Sequence, residues 1–480
     1  MPKKNMHCRA RCLSDRQRAR QQIKDFMLST RHSIMKEVLA IALPMVASQA
    51  CDTVMIFTDR LFLSRLSPEL MSAALGGGLT AFVLMTFFFG LIGYTTALVA
   101  QYLGAGKKDS CAVVVTQAFL IAFIAYPVII LCKPLAYRLF VFMGVVPQQR
   151  IPQMMYFTIL LYGAIFSLFR GCLSSFFSGI GRTRIVMAAS LVGMAVNIVM
   201  NYILIFGKCG LPALGISGAA YGTIIGNISG MAILACVYFS RRITGEFGVR
   251  KAFRVNGAIM KQLIRFGSPA GVEMFLNLLA FNIMILAFHG RGSVTATAAT
   301  IMFNWDLVSF VPLIGIEIAI TSLVGRYMGA GNPETAHHAA MAGIQVGLLY
   351  SFGILLLFTC IPHTLVSLFH PMQPDVIYEQ AVPLAVFMIR MAAFYVLFDA
   401  MIVALIGALR GAGDTVWAMI LMVGMHWSAA TVAFITLHFW HMLPQTAWVI
   451  TISAVFLPFS GIIYGRYHSG KWKEIQVIGK

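Results

Sequence analysis

Charge is scarce in this chain. Asp, Glu, Lys and Arg together make up 11% of its 480 residues, against about 25% in a soluble domain. Acids are the rarer sign, 17 against 36 Lys and Arg. No hydrophilic stretch between the apolar runs is long enough for a soluble domain, which excludes an ordinary globular enzyme. The nine cysteines are scattered, most of them in apolar runs (Cys51, Cys111, Cys132, Cys172, Cys236 and Cys360), with no Cys-x-x-Cys pair. They read as small buried hydrophobes rather than a disulfide framework. No Gly-Lys-Ser/Thr follows the glycine-rich turns and no His-Glu-x-x-His occurs. Direct use of ATP and zinc-dependent hydrolysis therefore lack their usual signatures.

What is there is hydrocarbon. Apolar residues make up 59% and mean hydropathy is +0.82. Apolar runs of roughly 20 residues, each long enough to cross a bilayer, recur along the chain. They predict an all-α integral membrane protein with twelve helices, over 36–58, 70–100, 111–133, 154–178, 185–207, 215–239, 261–288, 294–324, 338–362, 380–408, 416–438 and 445–466. Lys and Arg cluster in alternate breaks. Residues 1–36 hold ten of them against Asp15 and Asp25. Arg241, Arg242, Arg250, Lys251, Arg254, Lys261 and Arg265 face only Glu246. That alternation marks cytoplasmic loops rather than nucleic-acid binding. It predicts both termini in the cytoplasm of a multi-pass plasma (inner) membrane protein. The N-terminus is too long and too charged for a cleavable signal. Residues 20–36 fit an interfacial helix or a disordered basic tail.

The chain repeats itself. Gln101-Tyr102-Leu103-Gly104-Ala105-Gly106 returns 225 residues later as Arg326-Tyr327-Met328-Gly329-Ala330-Gly331, and Ile41-Ala42-Leu43-Pro44 returns at the same offset as Phe266-Gly267-Ser268-Pro269. Ser178-Gly179-Ile180-Gly181-Arg182-Thr183 returns 232 residues later as Arg410-Gly411-Ala412-Gly413-Asp414-Thr415. Six helices per half put both halves in the same orientation, so the repeat is parallel. The predicted organisation is a basic arm (1–35), an N-lobe (36–239), a cytoplasmic linker (240–260), a C-lobe (261–466) and a basic tail (467–480). Gly104, Gly106, Gly329 and Gly331 read as tight turns.

An ionised group in hydrocarbon costs about 3 kcal/mol or more, so those present face the bundle interior or water. The acids are Asp52 and Asp59 in the first helix, Glu273 in the seventh, Asp306 and Glu317 in the eighth and Asp399 in the tenth. Arg170 and Arg390 are the buried cation candidates, and each reads as snorkelling or pairing with an acid ahead of contacting substrate. Six acids against two bases describe an interior attractive to cations. Asp59 reads equally as a solvated helix end. Asn197 and Asn201 lie one turn apart in the fifth helix, and Thr223 follows a glycine-rich entry to the sixth. Such oxygens ligate a hard cation or bond helix to helix.

In order along the chain, Leu43-Pro44, Gln49, Phe57-Thr58-Asp59, Gln101-Tyr102-Leu103-Gly104-Ala105-Gly106, Gly179-Ile180-Gly181-Arg182-Thr183, Asn197-Ile198-Val199-Met200-Asn201-Tyr202, Phe266-Gly267-Ser268-Pro269, Val324-Gly325-Arg326-Tyr327-Met328-Gly329-Ala330-Gly331 and Leu409-Arg410-Gly411-Ala412-Gly413-Asp414-Thr415 resemble the multidrug and toxic compound extrusion (MATE) family. The resemblance runs from about Lys36 to Tyr464. It implies that Asp59, fifteen residues after Pro44, carries cation coupling with Asn197, Asn201 and Thr223, which would ligate metal only under Na⁺ coupling. Some relatives have Asp at the position of Asn201, so this site carries less negative charge. Many relatives have Glu at the position of Asn277, where Glu273 lies one turn earlier. Asp399 matches a helix-ten acid of bacterial relatives. Gln49, Asp52, Glu273, Asn277, Asp306, Glu317 and Asp399 are the substrate or cavity candidates.

The resemblance implies a secondary active antiporter, not an enzyme. It would export amphipathic, mostly cationic organic compounds against inward H⁺ or Na⁺, with no other cofactor and no obligate protein partner. The 29 Met and 36 Phe suit a permissive lining, though most face lipid or pack helices. Three alternatives stay open: a flippase for lipid-linked saccharides, for which Arg170 is the argument, an intramembrane enzyme, and a channel.

Overall fold

The computed structural model describes residues 3–142, 147–370 and 375–478. Among them are twelve helices of membrane length. The N-terminal six are α1 (Ser33–Ser64), α2 (Glu69–Gly104), α3 (Lys108–Leu131), α4 (Gln149–Gly179), α5 (Thr183–Phe206) and α6 (Ile216–Tyr238). The C-terminal six are α7 (Gly257–His289), α8 (Ser293–Gly329), α9 (Pro333–Cys360), α10 (Val376–Ala412), α11 (Thr415–Phe439) and α12 (Pro444–His468). The helix that holds α1 starts at Lys3. Several spans are longer than their apolar runs because their caps lie beyond those runs. Asp375 caps α10 at the Ile377 amide (2.8 Å), and Asn332 caps α9 at the Thr335 amide (3.1 Å) with Pro333 following. Short polar side chains accept amides that have no helical partner, and proline suits the first turn.

The repeated glycine motifs separate into two jobs. Gly106, Gly181, Gly331 and Gly413 sit at φ between +73 and +98 except Gly331 at +72, where a side chain is disfavoured. They close α2, α4, α8 and α10 with the same bond, from the next amide back five residues: Lys107 to Tyr102, Arg182 to Phe177, Asn332 to Tyr327 and Asp414 to Leu409. That bond satisfies carbonyls otherwise left open at helix ends. Gly104 and Gly329 do something else, against expectation. A Cβ on Gly104 would lie 1.9 Å from the Arg326 carbonyl oxygen, and one on Gly329 2.0 Å from that of Gln101. Each glycine lets the backbone of the opposite half press against it.

A seam between the lobes results. Gln101 donates its side-chain amide to the Gly411 carbonyl (2.8 Å). Ser322 donates to the Ser178 carbonyl (2.7 Å), and Tyr327 donates to Glu37 (2.7 Å). α2 and α7 cross where Gly90, Gly267 and Gly271 face bare backbone.

α1 belongs to both lobes. Ile34, Val38, Ile41 and Ala42 are buried in the core of the C-lobe, Met45 in that of the N-lobe, and Leu63 in an apolar cluster with α4, α5 and α6. Pro44 stands where allegiance changes. It has no N–H for the Ala40 carbonyl, so the helix is weakest there. α6 and α7 are joined through a short helix, Arg241–Phe247, and the turn Val249–Lys251. Ile243, Phe247, Val249 and Ala252 of this segment are buried in the N-lobe core.

Candidate functional site

Glycines bring α5 against α6: Gly218 faces the Leu204 backbone, Gly226 the Gly193 carbonyl, and Gly222 the side chain of Asn201. The groove so formed receives α1. Asp59 enters it with 4% of its surface exposed, so it is a buried group and not a solvated helix end. Thr223 donates to its Oδ2 (2.7 Å). Asn197 donates to Oδ1 (3.3 Å) and Asn201 donates to the same oxygen. Asn197 and Asn201 are fully buried, and Tyr156 of α4 stands beside Asp59 and Thr223. No Lys or Arg is in ion-pair reach of this carboxylate among the described residues. The four residues singled out from the sequence thus meet at one point.

The Asn201 Oδ1 is buried without a partner. It lies against Gly222, while the Asp59 oxygens, Asn197 Oδ1 and Thr223 Oγ1 make an oxygen-rich cluster. Such a set can hold one monovalent hard cation. With Asp59 protonated, the acid proton itself becomes a donor to an amide oxygen.

A second cluster lies nearer the seam, in the same lobe. Arg170 of α4 donates to Asp52 (2.9 Å), Ser190 (2.8 Å) and Asn227 (3.0 Å), and Ser190 bonds Ser48 (2.7 Å). Arg170 therefore pairs with an acid. Gln49 is half-buried, and its side chain shows no bond in this cluster.

In the C-lobe, Arg410 bridges two acids. It donates to Glu273 of α7 (2.6 Å) and to Glu317 of α8. Glu273 is 1% exposed; its second oxygen and Asn277 Oδ1 are both buried without partners. Further out, Tyr395 donates to Asp306, and Asp399 lies one turn along α10 from Tyr395, close to Asp306. These three cluster apart from Glu273 and Glu317.

Two expectations about cations need correcting. Arg390 is exposed on the surface of α10, not buried, because its neighbours Met388 and Ile389 take the core side. Arg410, past the predicted helix end at 408, lies within α10 and is an interior cation. Side chains on a helix lean toward its N-terminus, so Arg410 reaches back from the end of α10 to Glu317. Arg170 and Arg410 are, among the described residues, the guanidinium groups paired with members of the six acids. Among the described residues, no three His, Cys, Asp or Glu side chains group as a metal site.

The MatE family model matches residues 44–203 and again 269–435, so the two matches begin at the two repeated prolines. The chain is 28% identical over 456 residues to the probable multidrug resistance protein NorM of Thermotoga maritima, covering 93% of this chain and 94% of that protein. Its fold matches an outward-facing multidrug resistance MATE transporter of the MOP superfamily, with a TM-score of 0.83 at 20% identity over 92% of this chain and 97% of that one. It equally matches a MOP superfamily transporter of Pyrococcus furiosus, described as having a binding pocket of reverse polarity, with a TM-score of 0.83 at 20% identity over 92% and 97%. Repeat, fold and sequence agree: the chain belongs to the MatE family and is a multidrug efflux transporter of that family, not an enzyme.

Proposed function

We propose that this transporter exports amphipathic, mostly cationic organic compounds in exchange for inward H⁺ or Na⁺, with Asp59 as the coupling acid. One observation carries the reading: a carboxylate buried between α1, α5 and α6, held by neutral amides and a hydroxyl and, among the described residues, paired with no cation. A buried acid of this kind binds a proton or a cation readily, because either removes a charge from a low-dielectric site. Asn197, Asn201 and Thr223 hold the ionised form. Neutralising Asp59 cancels the attraction that ties α1 to α5 and α6, and α1 is the element shared by both lobes. The lobes 36–239 and 261–466 then shift against each other, with 240–260 as their cytoplasmic linker and both termini in the cytoplasm of the plasma (inner) membrane.

Charge balance favours cationic cargo. Arg170 offsets Asp52, and Arg410 offsets one of Glu273 and Glu317. The other, with Asp59, Asp306 and Asp399, leaves the interior acidic. Gln49 and Asn277 add neutral polar surface beside these acids. Each net positive charge moved inward across 100 mV yields about 2.3 kcal/mol, a factor of about fifty in substrate gradient, so exchange of one ion for one monovalent cation draws on the ion's concentration gradient and a second ion per cycle adds the electrical drive. Proteoliposomes loaded with a fluorescent organic cation test the reading under a pH gradient or a Na⁺ gradient applied separately. One gradient should drive saturable efflux, and Asp59→Asn should lose the gradient-dependent part while still binding dye. Efflux indifferent to both gradients would refute it.

A further inference from the structure

The segment between α6 and α7 is more than a tether. Ile243, Phe247, Val249 and Ala252 bury one side of it in the N-lobe core. Gln117 of α3 pins its exit, donating to the Arg254 carbonyl (2.8 Å) and accepting from the Asn256 amide (3.1 Å). The strap is therefore held in one orientation. Its other side carries Arg241, Arg242, Arg250, Lys251 and Arg254, and the first turns of α7 add Lys261 and Arg265; all seven are exposed. None of the seven is in an ion pair among the described residues. Glu246, the one acid of the strap, already holds Arg182 (2.5 Å) and Lys108 (3.3 Å). Asp109 of α3 abuts Gly248, flanked in sequence by Lys107 and Lys108.

Apolar groups are interleaved with these cations. Phe253 is 56% exposed and Val255 74%, and Phe253 stacks on Phe239 at the end of α6 (6.0 Å, 13°). A crevice of about 260 Å³ opens between Lys261, Arg265 and the tail residues Gln476 and Val477. The tail is tied there by the Gln262 side chain, which donates to the Val477 carbonyl (3.0 Å). A solvated loop has no reason to hold aromatic and branched side chains outward beside seven unpaired cations. A membrane–water interface gives both a place, the apolar groups among the acyl ends and the cations among phosphates.

We propose that this strap and the first turns of α7 form a docking surface for anionic phospholipid in the leaflet on the side of the termini. The surface is continuous, since the strap and the first turns of α7, through Ile259 and Leu263, are buried in the same N-lobe core.

Native mass spectrometry of the full-length protein, equilibrated with phosphatidylglycerol and phosphatidylcholine in equal amounts, tests this directly. The wild type should retain phosphatidylglycerol preferentially. The variant Arg250→Gln/Lys251→Gln/Arg254→Gln/Lys261→Gln/Arg265→Gln should lose that preference at least tenfold, since each surface cation contributes about fivefold. Phe253→Ser/Val255→Ser, with every charge kept, should lower retention of both lipids, and raising KCl to about 0.5 M should erase the wild-type preference. Should the five-fold variant fail to fold, the aromatic variant and the salt arm decide. An unchanged preference in the folded variant, or in high salt, overturns the proposal. So does displacement of the lipid by inorganic phosphate beyond that by chloride at equal ionic strength, which would mark a free-anion site.

Discussion

A residue's chemistry here depends on what stands opposite it. Asp59 was legible because it lies fifteen residues after Pro44 in a recognisable order of motifs. Its burial was not, since that depends on Gly218, Gly222 and Gly226 letting α5 and α6 form a groove. Asn201→Asp would place a second carboxylate on the Asp59 oxygen that Asn201 now serves. Two acids sharing a site bind a proton more tightly and also add a charged oxygen ligand for a hard cation, so the ratio of Na⁺-driven to H⁺-driven efflux should change at least severalfold, as read by separate gradients. An unchanged ion preference would show that Asn201 does not set it. Arg410 escaped sequence reading because its partners lie 137 and 93 residues away. Arg410→Ala leaves two buried carboxylates without a counter-charge and should cost about 3–5 kcal/mol. Adding Glu273→Gln and Glu317→Gln should recover most of that loss. Thermal unfolding in detergent measures both, and a single variant as stable as wild type would mean that the acids are neutral without Arg410.

At the scale of elements, the spans were plain from apolar runs, while their ends were set by caps and glycine turns beyond those runs. The Gly-Ala-Gly motif misled in part, because one spelling serves a turn and a packing face. The two roles predict opposite phenotypes. Gly329→Ala would bring a Cβ against the Gln101 carbonyl and pry the seam, so maleimide should label a cysteine placed at Ser322 several times faster. Gly106→Ala, at φ +73 with nothing near the added carbon, should cost about 1 kcal/mol of strain and leave labelling unchanged. Equal labelling in both variants would deny Gly329 its seam role. The linker helix adds a pH effect. Burial raises the Glu246 pKa, but Arg182 and Lys108 outweigh it and hold the group below its usual value. Its folded pKa is depressed, so the tie is complete above the unfolded pKa and lost as pH falls through the folded one. Protease nicking of the linker should therefore rise in acid, and Glu246→Gln should remove that dependence.

For the whole molecule, the repeat is a symmetric frame carrying asymmetric charge. At the offsets of the repeated motifs, Asp59 corresponds to Met284, and Asn197 and Asn201 to Ala429 and Ala433, all buried. The N-lobe site thus has no image in the C-lobe, while Asp52 corresponds to Asn277 and Ser48 to Glu273. The backbone turns repeat because each lobe needs the same seam; the side chains differ because only one lobe holds Asp59. What sequence could not reveal is that α1 crosses from one core to the other, since apolar residues of both cores look alike. A transporter that alternates between two faces must open the seam once per cycle. Bridging cysteines placed at Ser178 and Ser322 with a short, cleavable bismaleimide, in a background with the native cysteines changed to Ala, should stop gradient-driven efflux while leaving dye binding intact. Cleaving the bridge should restore flux. Transport that continues across an intact bridge would mean that the lobes do not part there, and that Asp59 drives a smaller movement confined to α1.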